Sequence, residues 1–376
     1  MLYSFLVVLI IFFNICHSLK TIPSNIISNS RLRAFGETTQ EPITSFEKKV
    51  DSKLLIGASV LALGTVGKKY SDGPVFNENV NLNGKNIVIT GANTGLGKET
   101  AIKLASLGAN LLLLCKSKER GDSAVNDIKS ITGSNSITNI VMDLGDLKSV
   151  QKAANEVEKR IPKIDVLLNN AGIMALPKRE LTKDNIEAHM GVNHFGHFAL
   201  TSYLLPLVDK NQGRIISVSS QAHRFGKDFR DDIMLENSYD PWVAYGNSKL
   251  ANILFINTLT EKLKSNPKYS NIFCASLHPG LCRTDLGRYF FGDVKDASPL
   301  VQALASPLTL VSKSAQQGAQ TQIFLSASTK LKLNDSGKFY DNSAVADRAP
   351  LADNKDLASY LWLESEKRTG TNPHLI

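Results

Sequence analysis

The sequence predicts an α/β fold in which helices cover both faces of a single, doubly wound parallel sheet. From about residue 81 onward, short apolar runs alternate with segments of helical periodicity, which is the pattern of repeated βα units. The first apolar run leads directly into a glycine-rich turn. Neither an internal repeat nor a low-complexity tract interrupts the series that follows. Together these observations favour one domain built around one sheet.

Six apolar runs are candidate strands of this sheet. They are residues 86–90, 111–115, 137–142, 166–169, 214–219 and 272–277. Helical patterns lie between them, so we expect parallel strands that are joined by crossover helices. The predicted domain spans residues 81–370 and has the Rossmann-type architecture.

The composition is that of a globular protein and argues against nucleic-acid binding. Hydrophobic residues make up 43% of the 376 residues, which is enough for a sizeable core. The formal net charge is +8, but the 43 basic residues are scattered among 35 acidic ones and form no stripe. The cysteines show no CxxC spacing, so a reducing compartment fits best, and Cys115 and Cys274 are expected to be small buried hydrophobes.

The N-terminal residues have the features of a targeting leader. Residues 1–18, MLYSFLVVLIIFFNICHS, combine an apolar core with small residues where a signal peptidase cleaves, so they predict a signal peptide or a signal anchor. The next stretch, LKTIPSNIISNSRLRAF, is basic, serine-rich and free of acids, so 19–50 is predicted to be a transit-like or linker segment. This bipartite pattern predicts a plastid. The alternative is the endoplasmic reticulum membrane.

Residues 51–80 are predicted to contain an apolar segment and a linker. The apolar stretch, LLIGASVLALGTVG at 54–67, is shorter than the ~20 residues that cross a bilayer. It is compatible with an interfacial anchor, a membrane-docking helix or a helix packed on the domain. Membrane association is therefore expected to involve 1–18 or 54–67, and the chain leaves the oligomeric state open.

The turn after the first predicted strand has the features of a dinucleotide site. The run NIVIT leads into TGANTGLGKE, and GLGKETAIKLASLG then has helical periodicity up to Gly108. This arrangement aims backbone N–H groups and the positive end of a helix dipole at an anion. Glycines allow the close approach of a pyrophosphate, so the segment predicts a cofactor-binding turn.

Lys116 indicates which dinucleotide binds. An NAD site is expected to carry an acidic residue at the end of the second strand, where it holds the ribose 2′-hydroxyl. Here that strand ends in LLLLCKSKER, and Lys116 would attract the 2′-phosphate that an acid would repel. The residue therefore favours NADP(H).

Two further segments predict catalytic chemistry. Tyr245 and Lys249 in AYGNSKLANILF are four residues apart, which places both side chains on one helix face. An ammonium ~4 Å from a phenol is expected to lower the tyrosine pKa from about 10 toward neutrality, as acid–base catalysis requires. Ser219 and Ser220 end the strand RIISVSS, where a hydroxyl could bond a substrate carbonyl.

These motifs, in this order, resemble the short-chain dehydrogenase/reductase superfamily, and within it the retinol dehydrogenase-like branch. The similarity spans about residues 82–370 and includes TGANTGLG, MDL, NNAG, VNHFGHF, SVSS, AYGNSKLANILF, HPGLCRTDLGR and LWLESEKRTG. The resemblance implies an NADP-binding catalytic domain. One departure is Lys116, which replaces the arginine usual in that branch and lacks its bidentate geometry, so the NADP(H) preference could be less pronounced.

The resemblance also implies site residues. Ser220 would polarise the carbonyl, Tyr245 would be the general acid or base, Lys249 would lower its pKa and hold the ribose, and Asn193 would support a proton-relay water. The residues that would contact the cofactor are Thr90, Gly91, Asn93, Thr94, Gly95, Leu96, Gly97, Lys116, Asp143, Leu144, Asn170, Ala171, Gly172, Tyr245, Lys249, Pro279, Gly280 and Thr284.

Several histidines lie near these motifs. His194 and His197 have a spacing that metal ligands can show, but no third ligand of a suitable kind is near in sequence, so we interpret them as packing residues and expect no metal. His223 and Arg224 follow the catalytic strand and are candidates to line the pocket, but we favour their interpretation as part of a solvated loop.

The substrate is expected to be a lipophilic small molecule. The stretches between Ser220 and Tyr245 and after Thr284 should shape its pocket, and the second stretch contains Tyr289, Phe290 and Phe291. The predicted reaction moves a hydride between nicotinamide and a carbonyl or alcohol of a retinal- or retinol-like compound. Two alternatives remain: a reductase of a plastid pigment intermediate, such as a protochlorophyllide-type substrate, and a non-catalytic NADP-binding scaffold.

Overall fold

The computed structural model describes residues 72–282 and 312–371. The predicted leader segments at 1–18 and 19–50, the apolar stretch at 54–67 and Thr284 all lie outside these residues. In the described part of the chain, no helix is both long enough and apolar enough to cross a bilayer.

Within residues 72–282 and 312–371, eight strands form one sheet. In chain order they are β1 Asn86–Thr90, β2 Asn110–Cys115, β3 Ile137–Val141, β4 Val166–Asn169, β5 Arg214–Val218, β6 Phe273–His278, β7 Phe339–Asp341 and β8 Ala344–Val345. The spatial order is β3-β2-β1-β4-β5-β6-β7-β8, and all neighbours are parallel except β7 and β8. The fold is thus the predicted doubly wound Rossmann-type sheet.

Helices cover both faces of the sheet. They are α1 Gly95–Ser106, α2 Lys118–Thr132, α3 Leu147–Arg160, α4 Gly196–Leu204, α5 Pro241–Ser265, α6 Ala315–Gly318, α7 Gln320–Ala327 and α8 Lys355–Thr369. A π-helical turn, Met190–Phe195, leads into α4. Short 3₁₀ segments occupy Leu205–Leu207, Gln221–Phe225, Leu333–Asp335 and Pro350–Asp353.

The sheet is buried on both faces, which explains why its strands are continuous apolar runs. Val88 of β1 packs into a cluster with residues of α3, α4 and α5, whereas its neighbours Ile87 and Ile89 pack with residues of α1 and α7. All three side chains are fully buried. Strands with a helical layer on each side need apolar residues at every position.

The six predicted strands correspond to β1–β6, but several of their ends differ by one residue. Two further strands, β7 and β8, were not predicted. β2 begins at Asn110, β3 ends at Val141, β5 ends at Val218, and β6 is shifted to Phe273–His278. Both β7 and β8 are too short to form an apolar run. β7 is held in the sheet by its pairing with β6, which local sequence does not reveal.

This topology creates a crevice at one edge of the sheet. The chain moves outward in one direction from β1 to β2 and β3, and then returns to place β4 on the other side of β1. Ligands of open α/β sheets bind at the carboxyl ends of the strands where the order reverses. The candidate site is therefore expected beyond Thr90 and Asn169, the last residues of β1 and β4.

Candidate active site

The glycine turn and the start of α1 form a cradle at the end of β1. A Cβ on Gly97 would lie 2.6 Å from both the Gly91 carbonyl oxygen and Asn170 Nδ2, so only glycine fits. The side chain of Thr94 does not cap α1, and the first turn of this helix contains no acidic residue. Its N–H groups and dipole can therefore act on an anionic ligand. Asn93, Thr94 and Leu96 belong to the same turn and helix start.

Thr90 connects the end of β1 with the end of β4. Its Oγ1 accepts the backbone N–H groups of Asn170 and Ala171, both at 2.9 Å, and lies 2.9 Å from His197 Nε2. Because both acceptor positions are used, the hydroxyl donates to Nε2. The His197 proton then lies on Nδ1, which donates to the Asn193 carbonyl at 3.0 Å. These bonds fix the positions of three sequence motifs relative to each other.

The π-helical turn positions Asn193, which is fully buried. Gly196 N–H donates to the carbonyl of Gly191, five residues back, as in a π-helix. Asn193 Oδ1 accepts from Ile173 N–H at 2.8 Å, and Nδ2 donates to the Ile173 carbonyl and to Ser248 Oγ. Asn193 thus holds the segment after β4 against α5.

Tyr245 and Lys249 lie on the face of α5 that is packed against the end of β5. Lys249 Nζ donates to the Val218 carbonyl at 3.0 Å, and Ser219 Oγ donates to the Lys249 carbonyl at 2.7 Å. Tyr245 and Lys249 are 4% and 2% exposed. The Tyr245 side chain forms a hydrogen bond with the side chain of Ser220. The sheet and α5 thus bring the three predicted groups together.

Gly172 lies between two of the predicted catalytic side chains. A Cβ at this position would be 3.0 Å from Asn193 Oδ1 and 3.4 Å from Lys249 Nζ. A larger residue would therefore press on both side chains. Glycine allows the backbone to approach Asn193 and Lys249 closely.

Burial, and not the neighbouring ammonium, dominates the ionisation of Tyr245. Burial raises the pKa of Tyr245 to about 12, although the hydrogen bond with Ser220 lowers it. Lys249 Nζ lies 5.7 Å from the centre of the Tyr245 ring, and burial lowers the pKa of Lys249 to about 8. The expected lowering of the tyrosine pKa by Lys249 is therefore wrong for this structure, because desolvation of the phenolate outweighs the attraction.

Lys116 and Asp143 meet at the other end of the crevice. Lys116 Nζ lies 3.0 Å from Asp143 Oδ2, and Asp143 Oδ1 accepts the Gly145 N–H at 2.9 Å. The Lys116 side chain is 73% exposed and that of Asp143 is 22% exposed. Leu144, next in sequence, is buried and its carbonyl lies against Gly196. A cation and an acid are thus both available where the second and third strands end.

Pro279 and Gly280 follow β6 at the same edge of the sheet. Gly280 has a φ of +93°, and the side chain of Lys313 packs where its Cβ would be. Thr284, predicted to act with them, lies outside the described residues, as do Tyr289, Phe290 and Phe291. The Pro279–Gly280 segment therefore closes the described part of the crevice.

The chain is similar in sequence to a known enzyme family. The model of the short chain dehydrogenase family matches residues 85–294. Human retinol dehydrogenase 13 is 35% identical over 317 residues, which cover 82% of this chain and 93% of the relative. The chain is a short-chain dehydrogenase/reductase. Human retinol dehydrogenase 12 is 36% identical over 78% of this chain and 89% of its own length, which places the chain in the retinol dehydrogenase-like branch.

Solved structures agree with the fold. An uncharacterized protein from Mycobacterium paratuberculosis is 30% identical, covers 78% of this chain and 96% of its own, and superposes with a TM-score of 0.61. A short-chain dehydrogenase from Shigella flexneri in complex with NADP covers 71% of this chain and all of its own at a TM-score of 0.54, with 22% identity. As a member of the short-chain dehydrogenase/reductase family, the chain is an oxidoreductase that acts on CH–OH groups.

His194 and His197 are both buried, but only His197 has a role beyond the packing expected from sequence. His194 is the packing residue that was predicted: its ring lies against Phe195, Phe198 and Phe255, and Nε2 bonds to Ser365. His197 is equally buried, but it joins Thr90 to Asn193. Both histidines belong to the motif VNHFGHF, so the motif alone could not show that His197 has this role and His194 does not.

His223 is not part of a solvated loop, so that interpretation was wrong. Its side chain is fully buried, Nδ1 lies 2.6 Å from the Ser220 carbonyl, and Nε2 accepts the Ala349 N–H at 2.9 Å. The imidazole therefore connects the catalytic strand end to the segment after β8. This contact joins residues more than 100 positions apart, so sequence periodicity could not reveal it.

The stretch between Ser220 and Tyr245 mostly packs on its own domain. Phe229, Ile233 and Met234 are buried in a cluster with residues of α5 and α8. Tyr239 differs, because its hydroxyl donates to the Leu176 carbonyl at 2.7 Å, beside the segment held by Asn193. Only part of this stretch therefore contributes to the walls of the crevice.

Proposed function

We propose that this chain is an NADP(H)-dependent oxidoreductase that transfers a hydride between nicotinamide and the carbonyl or alcohol carbon of a lipophilic, retinal- or retinol-like substrate. The observation that carries the proposal is the convergence of Ser220, Tyr245, Lys249 and Asn193 beside the glycine turn at one edge of the sheet. A binding scaffold needs no acid–base group beside its cofactor. The retinol dehydrogenases among its relatives support a lipophilic alcohol or aldehyde.

The glycine turn fits a dinucleotide. A Cβ at Gly97 would fill the space beside the Gly91 carbonyl, and one at Gly172 would obstruct the space before Lys249. The N–H groups at the start of α1 would hold the pyrophosphate, while Lys116 would bind the 2′-phosphate. When bound, the nicotinamide supplies or accepts the hydride.

Ser220 and Tyr245 act on the substrate oxygen. In reduction, both hydroxyls donate hydrogen bonds to the carbonyl oxygen, and Tyr245 gives it the phenolic proton as negative charge develops. The raised pKa of Tyr245 keeps that proton in place at neutral pH, so the residue is ready to act as an acid. In oxidation the same phenol oxygen would have to receive the alcohol proton.

Lys249 and Asn193 assist this proton transfer without contacting the substrate oxygen. The Lys249 ammonium faces the Gly172 space, where it would bond the ribose hydroxyls and stabilise a phenolate after the proton leaves. Asn193 fixes the segment that begins at Ile173 and bonds Ser248, whose Oγ in turn donates to the Tyr245 carbonyl at 2.8 Å. The backbone of Tyr245 is thereby held in place during the reaction.

The proposal is tested by turnover of the full chain, purified in mild detergent. Oxidation of NADPH and of NADH would be followed by absorbance with retinal, fatty aldehydes, steroid ketones and a protochlorophyllide-type pigment. We expect NADPH-selective reduction of retinal or another lipophilic aldehyde. Tyr245→Phe should lower kcat by about 10²-fold or more while NADPH still binds, because it removes the proton-donating hydroxyl and leaves the glycine turn unchanged.

Tyr360→Phe is the matched control, since it removes a hydroxyl from α8, far along the chain from the crevice motifs. It should keep wild-type turnover. Selective reduction of the pigment would favour the alternative substrate class. Binding of NADPH without turnover of any compound would support the scaffold instead, and equal turnover by Tyr245→Phe and wild type would refute the mechanism.

A further inference from the structure

A buried ionisable pair lies beside Tyr245, and the proposed mechanism does not use it. Glu187 and His189 are both fully buried, and Glu187 Oε1 lies 2.8 Å from His189 Nδ1. The centre of the His189 ring is 6.4 Å from that of Tyr245, and the two planes meet edge-on at 62°. Burying such a pair is costly unless its polar atoms are bonded. Because the Glu187–His189 pair is buried at this cost next to Tyr245, the proposed proton donor, we expect it to have a role in the reaction.

The hydrogen bonds around the pair define its proton positions. Glu187 Oε1 also accepts the His189 backbone N–H, and Oε2 accepts that of Met190. The carboxylate thus lies at the start of the helical run that contains Asn193, where the dipole favours negative charge. Leu176 N–H lies 3.3 Å from His189 Nε2, so Nε2 is an acceptor and the ring proton is on Nδ1.

The backbone of Leu176 is held from two sides. His189 accepts its N–H, and the Tyr239 hydroxyl donates to its carbonyl at 2.7 Å. Asn193 holds both backbone groups of Ile173, three residues earlier. Ala175, between them, has a φ of +47°, which an alanine adopts only when its surroundings impose it. The segment 173–176 therefore depends on side-chain bonds for its shape.

We propose that His189 is a positioning residue for the reaction proposed above: it fixes the segment 173–176 and the ring of Tyr245 at one wall of the site, and Glu187 fixes His189. The inference rests on the proposed function. His189 itself has no exposed surface, so it acts through Leu176 and Tyr245 and not on the substrate. A displacement of about 1 Å at a reacting group can cost about 10²-fold in rate, so this wall matters for kcat.

Two substitutions separate the two bonds of the ring. In His189→Asn the amide nitrogen replaces Nδ1, which keeps the bond to Glu187 and removes the one to Leu176. In His189→Gln the amide oxygen reaches the place of Nε2, which keeps the bond to Leu176. We expect kcat to fall about 10- to 100-fold in His189→Asn and to recover largely in His189→Gln, with NADPH affinity changed less than about twofold in both.

A spectroscopic readout does not depend on turnover. In protein labelled with ¹³C at tyrosine Cζ, the resonance missing from Tyr245→Phe identifies Tyr245. It should shift further in His189→Asn than in His189→Gln, because both variants lose the imidazole ring but only His189→Asn also releases the Leu176 N–H. Tyr239→Phe, a mild change that releases Leu176 from the other side, should move it in the same direction and lower kcat, and it keeps the test available if His189→Asn does not fold.

The outcomes separate this inference from the proposed function. If the wild type turns over substrate and all three variants keep its kcat and its Tyr245 resonance, the positioning role is overturned. Equal losses of kcat in both His189 variants, parallel to losses of melting temperature and NADPH binding, would also overturn it, because they indicate a purely structural pair. A shifted resonance in His189→Asn without turnover of any substrate by the wild type would refute the function and support the positioning.

Discussion

Tyr245 carries its proton at neutral pH because it is buried. Its pKa is raised to about 12, while that of the equally buried Lys249 is lowered to about 8. Both shifts have desolvation as their largest cause, since burial disfavours the charged form of either group. A protonated phenol beside Ser220 can donate its proton to a carbonyl. At the scale of the residue, burial therefore keeps the Tyr245 phenol in its protonated form.

Lys116 is not an isolated cation. Its ammonium contacts Asp143 at 3.0 Å, and a 2′-phosphate would have to share Lys116 with that carboxylate. An exposed ion pair contributes at most about 1 kcal/mol, so the effect on cofactor choice is modest. We therefore expect the acid to reduce the preference for NADP(H) that is proposed for Lys116.

Asp143→Asn should raise the selectivity for NADPH over NADH about two- to fivefold, because it frees the ammonium and removes a charge that repels phosphate. The amide oxygen still offers an acceptor to the cofactor, which Asp143 is expected to contact. Dissociation constants for both cofactors, measured by fluorescence, give the ratio. Asp122→Asn is the matched control, since Asp122 pairs with Lys118 one helical turn away. A ratio that is unchanged, or that falls, would contradict the competition.

Motif residues were more predictable than the residues that support them. Ser220, Tyr245, Lys249 and Asn193 were named because each belongs to a recognisable segment, and the structure brings them together. The supporting roles of His189 and His223 were not predicted, because their partners, Leu176 and Ala349, are identified only by tertiary contacts. Lys249 was placed correctly, but its effect on the tyrosine pKa was not, because burial is invisible in local spacing.

At the scale of the element, the central strands were predictable because they are buried on both faces. Every residue of β4 is buried, as are the last four of β1, so both appear in the sequence as continuous apolar runs. The β7–β8 pair, Phe339–Asp341 and Ala344–Val345, has no such signal, and the two residues of β8 are exposed. These short strands exist because β6 offers a free edge.

The π-helical turn before α4 is the element that most affects the site. One extra residue per turn rotates Asn193 toward Ile173 and Ser248, and its carbonyl accepts the His197 side chain. π-helical turns are rare and often occur at functional sites. No residue pattern in VNHFGHF indicates the turn, so the sequence predicted the asparagine but not the geometry that aims it.

At the scale of the whole molecule, three of the histidines whose pKa burial lowers, His194, His197 and His223, connect the layers. Burial lowers the pKa of His194 to about 3, and those of His197 and His223 to about 4. Each ring is 1% exposed or less. In the unfolded chain a histidine titrates near 6.5, so the unfolded state binds more protons between about pH 6.5 and pH 4.

The free energy of unfolding should therefore fall as the pH is lowered through this window. Each of the three histidines contributes about 1.4 kcal/mol per pH unit, so the loss between about pH 6.5 and pH 5 amounts to several kcal/mol. Urea unfolding at several pH values measures it. His194→Asn should reduce the slope by about one proton. A free energy that is constant across the window would contradict the neutral, buried state of these rings.

We propose that the crevice transfers a hydride to a carbonyl carbon while Tyr245 supplies the proton. This is tested with reduced cofactor in which both hydrogens at C4 are replaced by deuterium, with retinal as substrate and mass analysis of the product. The account predicts an alcohol with one deuterium on the former carbonyl carbon, formed by the wild type and by Tyr360→Phe but not by Tyr245→Phe. Alcohol without deuterium, or labelled alcohol formed at the wild-type rate by Tyr245→Phe, would contradict it.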